Sequence, residues 1–563
     1  MQTQTIYSPA RRDKNIIQPS ILLEFFILLS LFVFTNLLTD NMSENEVGKL
    51  MIAKQFVSPQ WLPNDWYLNE PQTYQALFQI IFGKTISMWG FFATSVLGRI
   101  LTYSLISLGL VFIGREIRLR FSLLFASTII FLGLGQSMPI AGEWMIGGFE
   151  TKGFAYGFVL LAMWLSMKKK YLWTAPVLGL ATSFHVLVGG YATITILMWV
   201  LWEKIKHKNT FDWQFGNIFL ASLLYLLTSL FVLIPLFFNL NDPAEVSNTT
   251  LLEATYIYTF LRNPHHLDPF TWQKIRFLII GLHLFGVFYC WRFFTNSLLI
   301  SEQNSKDKQI ATEQRVALAE LTAFSLIPFF LGFLVAPFDT QGVFLQYYPF
   351  RLGSLMLALD TILLLACLLQ VTQKEVKFTI ENFIRSKRIA LFICFFVLGL
   401  ICLFPVKNFT QELLALRQFP LGVEDLSAES LNAFTWIKTN TPKDSVIISS
   451  PGQFVGFNWL TDRATIVKFK LVPSTEPYII EWYKRLNNLS GHPESWRWNK
   501  TGFAMVDQLD QDYRKLTKTQ VKALMQKYRS NYFFTDKTHQ LDLAIAYENA
   551  EYRLYEDHQN LLQ

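Results

Sequence analysis

Stretches of apolar residues long enough to cross a lipid bilayer recur through the first 405 positions of this 563-residue chain. A helix needs about 20 apolar residues to span the hydrocarbon core. Only 16% of the residues are charged, whereas soluble domains carry about 25%. The remaining charges lie between the apolar stretches, which excludes a disordered chain, a coiled coil, a collagen-like repeat and an ordinary soluble enzyme. The pattern predicts a mainly α polytopic membrane protein.

We expect about eleven transmembrane helices from the lengths of these segments. The first segment is preceded by basic residues, but no small-residue cleavage site follows it, so we interpret it as a retained helix rather than a signal peptide. The pair 171–184 and 186–202 is flanked by lysine clusters on both sides, which favours a tight hairpin over one long helix. The predicted spans are 21–38, 86–113, 121–138, 152–167, 171–184, 186–202, 215–239, 274–294, 319–337, 347–370 and 388–405.

Lysine and arginine are concentrated in every second loop, which is typical of loops that stay in the cytoplasm. This asymmetry predicts a cytoplasmic N-terminus and an extracytoplasmic C-terminal domain. It also accounts for the net charge of +7, so we predict no binding to nucleic acid. The four cysteines lie in apolar segments and offer no disulfide framework. Together with the absence of eukaryotic targeting signals, this favours a multi-pass protein of a bacterial inner (plasma) membrane.

The composition changes after about residue 405, where charged and turn-forming residues return. We therefore divide the chain into a transmembrane domain, 1–405, and an extracytoplasmic domain, 406–563. Strands that alternate with helices predict a small α/β domain. No GxGxxG or GxxxxGK[ST] motif indicates a nucleotide site. The predicted strands are 446–448, 464–469, 532–535 and 552–555, and the predicted helices are 431–439, 475–487 and 516–529.

Carboxylates gather in the first outer loop, 40–72, directly after the first span. Asp40 and Glu44 are spaced i, i+4, and Glu46 follows, so a continued helix would present the first two on one face. The spacing of the apolar residues between 47 and 51 predicts an amphipathic helix lying on the membrane surface.

The second outer loop, 139–152, ends at the start of an apolar helix. It carries Glu143, Glu150 and Lys152, and its adjacent glycines allow a ligand to approach the backbone. The N-terminus of the following helix favours an anion. Simple solvation of the loop, or snorkelling of Lys152 to the interface, explains the same residues without a ligand.

The third polar outer region, 241–272, contains Arg262 and the sequence His265-His266-Leu267-Asp268. Adjacent histidines near a carboxylate are a candidate metal site, although a zinc site needs at least three ligands. A divalent metal ion is therefore the one cofactor that the sequence leaves open.

Two further polar residues lie at the predicted outer ends of spans. His185 is near the tip of the predicted hairpin, and Arg351 lies at the membrane edge that borders the tenth span. Arg351 suits a lipid phosphate; the alternatives are a snorkelling cation and a partner for Asp339.

If these loops converge, they supply what sugar transfer from a lipid phosphate needs. A carboxylate takes the proton from the attacking hydroxyl, and a cation or a metal stabilises the departing phosphate. The lipid tail stays in the bilayer.

The layout of an acidic first outer loop, a second acidic loop before the fourth span and an outer α/β domain after the last span resembles the GT-C superfamily of polytopic membrane glycosyltransferases. The resemblance implies inverting transfer of a hexosyl or pentosyl group from a polyprenyl-phosphate donor to a saccharide or lipid acceptor of the cell envelope. It places the catalytic acid on Glu46 or Glu44, with Asp40 next. The residues expected to bind the substrate or its lipid phosphate are Glu143, Glu150, Lys152, His185, Arg262 and Arg351.

Two other classes of protein are compatible with the sequence. A transporter would use charges inside its spans, although we find no internal repeat and expect Arg99 and Asp360 to form a structural pair. A non-catalytic membrane scaffold or assembly protein is the second alternative.

Overall fold

The computed structural model of the chain describes residues 17–37, 41–70, 74–137, 139–206, 215–240, 247–300, 306–376, 391–393, 396–399 and 426–557. Helices make up the membrane part, and a five-stranded sheet with its own helices follows. The predicted fold class, a mainly α membrane protein with a small C-terminal α/β domain, is confirmed. The predicted span 388–405 and the domain boundary near 405 lie largely outside the described residues, so both stay predictions.

The helices of the membrane part follow the apolar segments closely. Within the described ranges, six of them are long and apolar enough to cross a bilayer, and two shorter apolar helices accompany them. The count of eleven therefore stays a prediction. The helices are α1 Ile17–Phe32, α2 Glu44–Val57, α3 Ala76–Glu116, α4 Phe121–Ser137, α5 Thr151–Met167, α6 Tyr171–Phe184, α7 Val186–Lys206, α8 Phe215–Leu240, α9 Asn248–Tyr256, α10 Pro264–Leu267, α11 Lys274–Ile300, α12 Lys306–Val335 and α13 Arg351–Val376.

Helix α3 begins ten residues before the predicted span 86–113. Its 41 residues correspond to about 60 Å at 1.5 Å per residue, twice the thickness of the hydrocarbon core. Gly90 interrupts it with φ +80°, a conformation that glycine adopts without strain. The first part of α3 can therefore turn away from the rest of the span and pack on α2.

Helix α2 forms where the sequence predicts an amphipathic helix, but the prediction that it lies on the membrane surface is wrong, because polar and apolar side chains alike are buried in the protein. Ser43 caps the helix by accepting from the amide of Glu46 at 3.4 Å. Val47, Leu50 and Met51 are fully buried in the main core, where α2 packs on α3. Helix α2 is therefore packed into the helix bundle as part of its core.

The C-terminal sheet has the order β2-β1-β3-β5-β4, with β1 parallel to β2 and β3, and β5 antiparallel to β3 and β4. Strand β4 was not predicted, because its residues are half-exposed and mixed in polarity. The predicted strand 464–469 is shorter in the structure. The strands are β1 Val446–Ile448, β2 Ala464–Thr465, β3 Tyr532–Asp536, β4 Ala544–Glu548 and β5 Tyr552–Glu556, and the helices are α14 Ala428–Asn440, α15 Phe457–Thr461, α16 Glu476–Leu489, α17 Val506–Tyr513 and α18 Lys518–Lys527.

The first outer loop is docked on the C-terminal domain through two buried carboxylates. Asp65 Oδ2 accepts from the side chain of Asn458 at 2.5 Å and from the amide of Thr465 at 3.0 Å. Glu70 Oε1 accepts from the amides and hydroxyls of Ser474 and Thr475. Burial raises the pKa of both carboxyls, and these hydrogen bonds oppose the shift. The sheet domain is therefore held directly over the loop that carries the candidate acids.

Candidate active site

Glu46 lies in a closed ion pair inside the protein. Arg99 Nη2 donates to Glu46 Oε2 at 2.5 Å, and Ser95 donates to the other oxygen. Both charged side chains are 0% exposed. Arg99 also donates to the carbonyls of Asn36 and Asn41 at 2.7 and 2.8 Å. The expected pair between Arg99 and Asp360 is wrong, because the guanidinium is fully used here.

Asp360 instead accepts from the hydroxyl of Thr322 at 2.7 Å, between α12 and α13. Asp360 lies on the face of α13 that packs against α12, so its carboxylate reaches side chains of that helix. The partner of Arg99 comes from α2, which the chain places beside α3.

Glu44 has a more open position than Glu46, although only one residue separates them. It begins α2, its side chain is 37% exposed, and Oε2 lies 3.6 Å from Nζ of Lys470. It lines a cavity of about 250 Å³ between α2 and the C-terminal domain, which we call the outer cavity. Of the three predicted acids, Asp40 lies outside the described residues.

Glu143 is the centre of a second group of charges, at the span ends that the sequence predicts to face outward. Arg351 Nε donates to Glu143 Oε1 at 2.8 Å, and Lys152 Nζ lies 4.0 Å from Oε2. Lys152 also lies 3.7 Å from Glu150, and Arg351 Nη1 lies 3.1 Å from His185 Nε2. Glu143 and His185 thus contact Arg351 directly, Lys152 through Glu143, and Glu150 through Lys152. The partner of Arg351 is Glu143 rather than Asp339.

Asp339 has a local role. Its carboxylate accepts from the amides of Val343, Phe344 and Leu345 at 2.8 to 2.9 Å. It shapes the turn that leads into α13 and leaves Arg351 free to face the site.

Lys49 adds a third cation that the sequence interpretation passed over. Burial lowers its pKa, Glu150 opposes that shift, and Arg351 and Lys152 add to it. Lys49 is therefore within electrostatic range of the same group. The signal in the sequence was a lysine between Gly48 and Leu50 in a short helix that follows the acidic residues of the first outer loop. We call Lys49, Lys152 and Arg351 the basic cluster.

Two carboxylate oxygens in this group have no hydrogen-bond partner although they are buried, Glu143 Oε2 and Glu150 Oε1. An unsatisfied buried oxygen is costly unless a ligand or water meets it. A water or a hydrogen-bond donor on a ligand can therefore meet these two oxygens.

The remaining predicted binding residue, Arg262, is committed to the protein backbone. Its Nε donates to the carbonyl of Phe469 at 3.1 Å and its Nη2 to that of Lys470 at 3.4 Å. The guanidinium also lies over the ring of Phe469. Arg262 positions the segment that carries Lys470, and Lys470 interacts with both Glu44 and Glu150. Lys470 thus links the outer cavity to the basic cluster.

The candidate metal ligands do not assemble into a metal site. His266 Nδ1 is 2.7 Å from the carbonyl of Ala141, while Asp268 caps a short turn by accepting from the amide of Phe270 at 2.9 Å. Burial lowers the pKa of His265 to about 2 and also lowers that of His266. Across the described ranges, no three His, Cys, Asp or Glu side chains are close enough to hold a metal ion. The donor set does not fit a metal, because the carboxylate faces its own turn.

Comparison with known proteins gives limited matches. Residues 428–489 match the model of a domain of unknown function, DUF6798. Two solved structures of ArnT from Cupriavidus metallidurans, the apo state and the state bound to undecaprenyl phosphate, are 10% identical to the chain. Each covers 96% of this chain and 98% of its own, with TM-scores of 0.44 and 0.43. A comparison with curated protein sequences finds no match. The function is therefore inferred from the side chains of the site.

Proposed function

We propose that the chain is a membrane glycosyltransferase that moves a sugar from a polyprenyl-phosphate donor to an envelope acceptor on the outer face of the membrane. One observation carries this proposal. Lys152 of α5 and Arg351 of α13 both lie beside the buried carboxylate of Glu143, and Lys49 of α2 is within electrostatic range of both cations. Cations at this depth suit a phosphate whose lipid tail remains in the bilayer.

The basic cluster would hold the phosphate and stabilise the charge it gains on departure. Arg351 offers a planar fork of N–H donors, and Lys152 offers a compact charge at the start of α5. Glu143 fixes Arg351 through the 2.8 Å hydrogen bond. Such preorganised donors stabilise developing charge at little cost in reorganisation.

Glu44 is our candidate for the general base. A base must reach the hydroxyl that it deprotonates, within hydrogen-bond distance or through one water. Glu44 lines the outer cavity, whereas Glu46 is enclosed by Arg99 and Ser95. Glu44 would take the proton, the acceptor oxygen would bond to the anomeric carbon, and the bond from that carbon to the phosphate oxygen would break. Attack from the face opposite the phosphate gives inversion.

A comparison of two neighbouring carboxylates tests the proposal. Envelope glycans and glycolipids would be analysed by mass spectrometry in a deletion strain complemented with wild type, Glu44→Gln or Glu46→Gln. We expect Glu44→Gln to insert and fold normally but to lose the saccharide product at least 100-fold. Glu46→Gln should lower the amount of folded protein, because it weakens a buried pair, while product per folded molecule falls less.

A separate measurement tests whether the basic cluster binds a lipid phosphate. Undecaprenyl phosphate, the ligand in one of the two ArnT structures, is the probe, added to the purified full chain and followed by native mass spectrometry. Binding should weaken at least tenfold in Arg351→Gln and in Lys152→Gln. The proposal would be refuted if the deletion strain has an unchanged envelope and both variants bind the lipid as wild type does. That result would favour the transporter and scaffold alternatives.

A further inference from the structure

The outer cavity lies between the start of α2 and one loop of the C-terminal domain. Met42, Glu44 and Val47 form one wall. The loop 452–456 forms the opposite wall, and Tyr552 of β5 closes a side. Its volume of about 250 Å³ is far above the roughly 10–15 Å³ that one water needs. The cavity therefore has room for a small molecule the size of a sugar ring.

The walls combine two aromatic rings and a few polar groups with the apolar side chains of Met42, Val47, Leu426, Val455 and Leu460. The rings of Phe454 and Tyr552 lie 5.7 Å apart at an interplanar angle of 74°. Both residues line the cavity, and both rings also pack on Phe534 behind it. Glu44 contributes a carboxylate, and Gln453 contributes an amide. A pyranose has C–H faces that pack on aromatic rings and hydroxyl edges that hydrogen-bond to such groups. Small-molecule sites commonly place a few polar groups among aromatic walls in this way.

Phe454 is held in a strained backbone conformation at this wall. Its φ is +54°, which costs a non-glycine residue about 1–2 kcal/mol. Such strain persists only where the surroundings fix it, and it is concentrated at ligand sites. Glycines at 452 and 456 flank the residue, and its ring packs on Phe434 and Phe534 at the edge of the cavity.

Buried polar contacts fix this loop from behind. Lys468 Nζ donates to Ser449 Oγ at 2.9 Å, to the carbonyl of Ser450 at 2.7 Å and to that of Gln453 at 2.8 Å. Asp510 accepts from the amide of Gly452 at 2.7 Å. The wall is therefore preorganised, and a ligand would bind without having to order it.

We infer that the outer cavity binds a saccharide, which makes a sugar hydroxyl the acceptor of the transferred group. The inference rests on the proposed function for the direction of transfer, since it places that hydroxyl against Glu44. Glu44 would take its proton while the hydroxyl oxygen forms the new glycosidic bond, and the donor phosphate leaves with the electron pair of the broken bond.

Saturation-transfer-difference NMR on the full chain in lipid nanodiscs tests this inference without any donor. Nanodiscs avoid maltoside detergents, whose head groups would compete. The probes are methyl α- and β-glucopyranoside, methyl α-mannopyranoside and N-acetylglucosamine. We expect ring-proton signals from at least one probe, and at least a fivefold weaker affinity in Phe454→Gly, which removes the ring and relieves the strain.

Arg529→Gly is the matched control, because Arg529 is an exposed residue with φ +51° away from the cavity; its binding should equal that of wild type. Gln453→Ala keeps the loop intact and should weaken binding about threefold, which covers the case in which Phe454→Gly does not fold. Two results would overturn the inference. One is the absence of signal from every probe, and the other is binding equal to that of wild type in both Phe454→Gly and Gln453→Ala. Sugar binding with no product from any donor would refute the proposed transfer while leaving the saccharide site.

Discussion

At the scale of single residues, burial decides what each ionisable group at the outer end does. Glu44 and Glu46 belong to the same turn of α2, yet one lines a cavity and the other is sealed by Arg99. Removing one partner of a buried pair typically costs about 3–5 kcal/mol, since the other charge stays buried. Glu46 therefore anchors α2 to α3, and chemistry at this end needs the more open neighbour.

Lys468 gives a pH-dependent prediction at the same scale. Burial lowers its pKa to about 7, below the value near 10.4 of an unfolded chain. Between these values the unfolded chain binds more protons, so stability rises with pH above 7 and the penalty is constant below it. We expect a gain on the order of 2 kcal/mol between pH 7 and pH 9.

Thermal unfolding of the full chain, followed by tryptophan fluorescence across this pH range, measures the effect of Lys468. The rise in midpoint should disappear in Lys468→Met and persist in Lys443→Met, whose side chain is exposed. A wild-type midpoint that stays flat or falls over this range would contradict the prediction.

At the scale of elements, close backbone contacts set how the helices meet. The hairpin of α6 and α7 depends on Gly189, where a Cβ atom would lie 2.2 Å from the amide nitrogen of Thr182. At Gly190, one position further on, a Cβ atom would meet nothing within 4 Å. Of these two adjacent glycines, Gly189 is therefore required for close helix packing, whereas Gly190 has room for a side chain.

Alanine at these two positions should have opposite effects. Gly189→Ala forces α7 away from α6, so we expect a loss of several kcal/mol in stability, of the order seen for overpacking. Gly190→Ala should be neutral or stabilising by up to about 1 kcal/mol, since alanine favours the helix. The yield of monodisperse protein and its melting temperature in detergent measure both variants; similar behaviour of the two would show that the contact at Gly189 is not required.

At the scale of the whole molecule, charged residues separate into two ends. The predicted outer loops meet one another and the sheet domain, as in the contacts of Glu143, Lys470 and Asp65. Residues of the predicted inner loops pair at the other end with each other or with the ends of predicted spans, as Arg118 does with Asp307 and Arg115 with Glu24. This separation supports the loop grouping, while the side of the membrane that each end faces stays a prediction.

Single cysteines test that orientation. Lys443→Cys lies in an exposed turn of the C-terminal domain, and Lys308→Cys in an exposed turn of α12. A membrane-impermeant maleimide added to intact spheroplasts should label the first directly and the second only after permeabilisation. The wild-type chain, with Cys290 and Cys367 buried, gives the background. Labelling in the reverse order would invert the predicted topology and place the candidate site inside the cell.

The sequence by itself determined the features that depend on local patterns. Apolar length defined the membrane helices, and short runs rich in apolar and aromatic residues defined strands β1, β3 and β5, because each element must bury its own apolar residues. The candidate acids and most of the candidate cations followed from their positions at the ends of spans. Strand β4 was not predicted, and its residues do not alternate between buried and exposed positions.

Only the tertiary structure decided which side chains meet. In the structure, Arg99 pairs with Glu46 rather than with Asp360, and Arg351 pairs with Glu143 rather than with Asp339. Asp268 accepts a hydrogen bond within its own loop. The tertiary structure also brought Lys49 to the basic cluster. Pairing and burial depend on elements distant in the chain, such as α2 on α3 and the sheet domain on the first loop, and no local periodicity encodes those contacts.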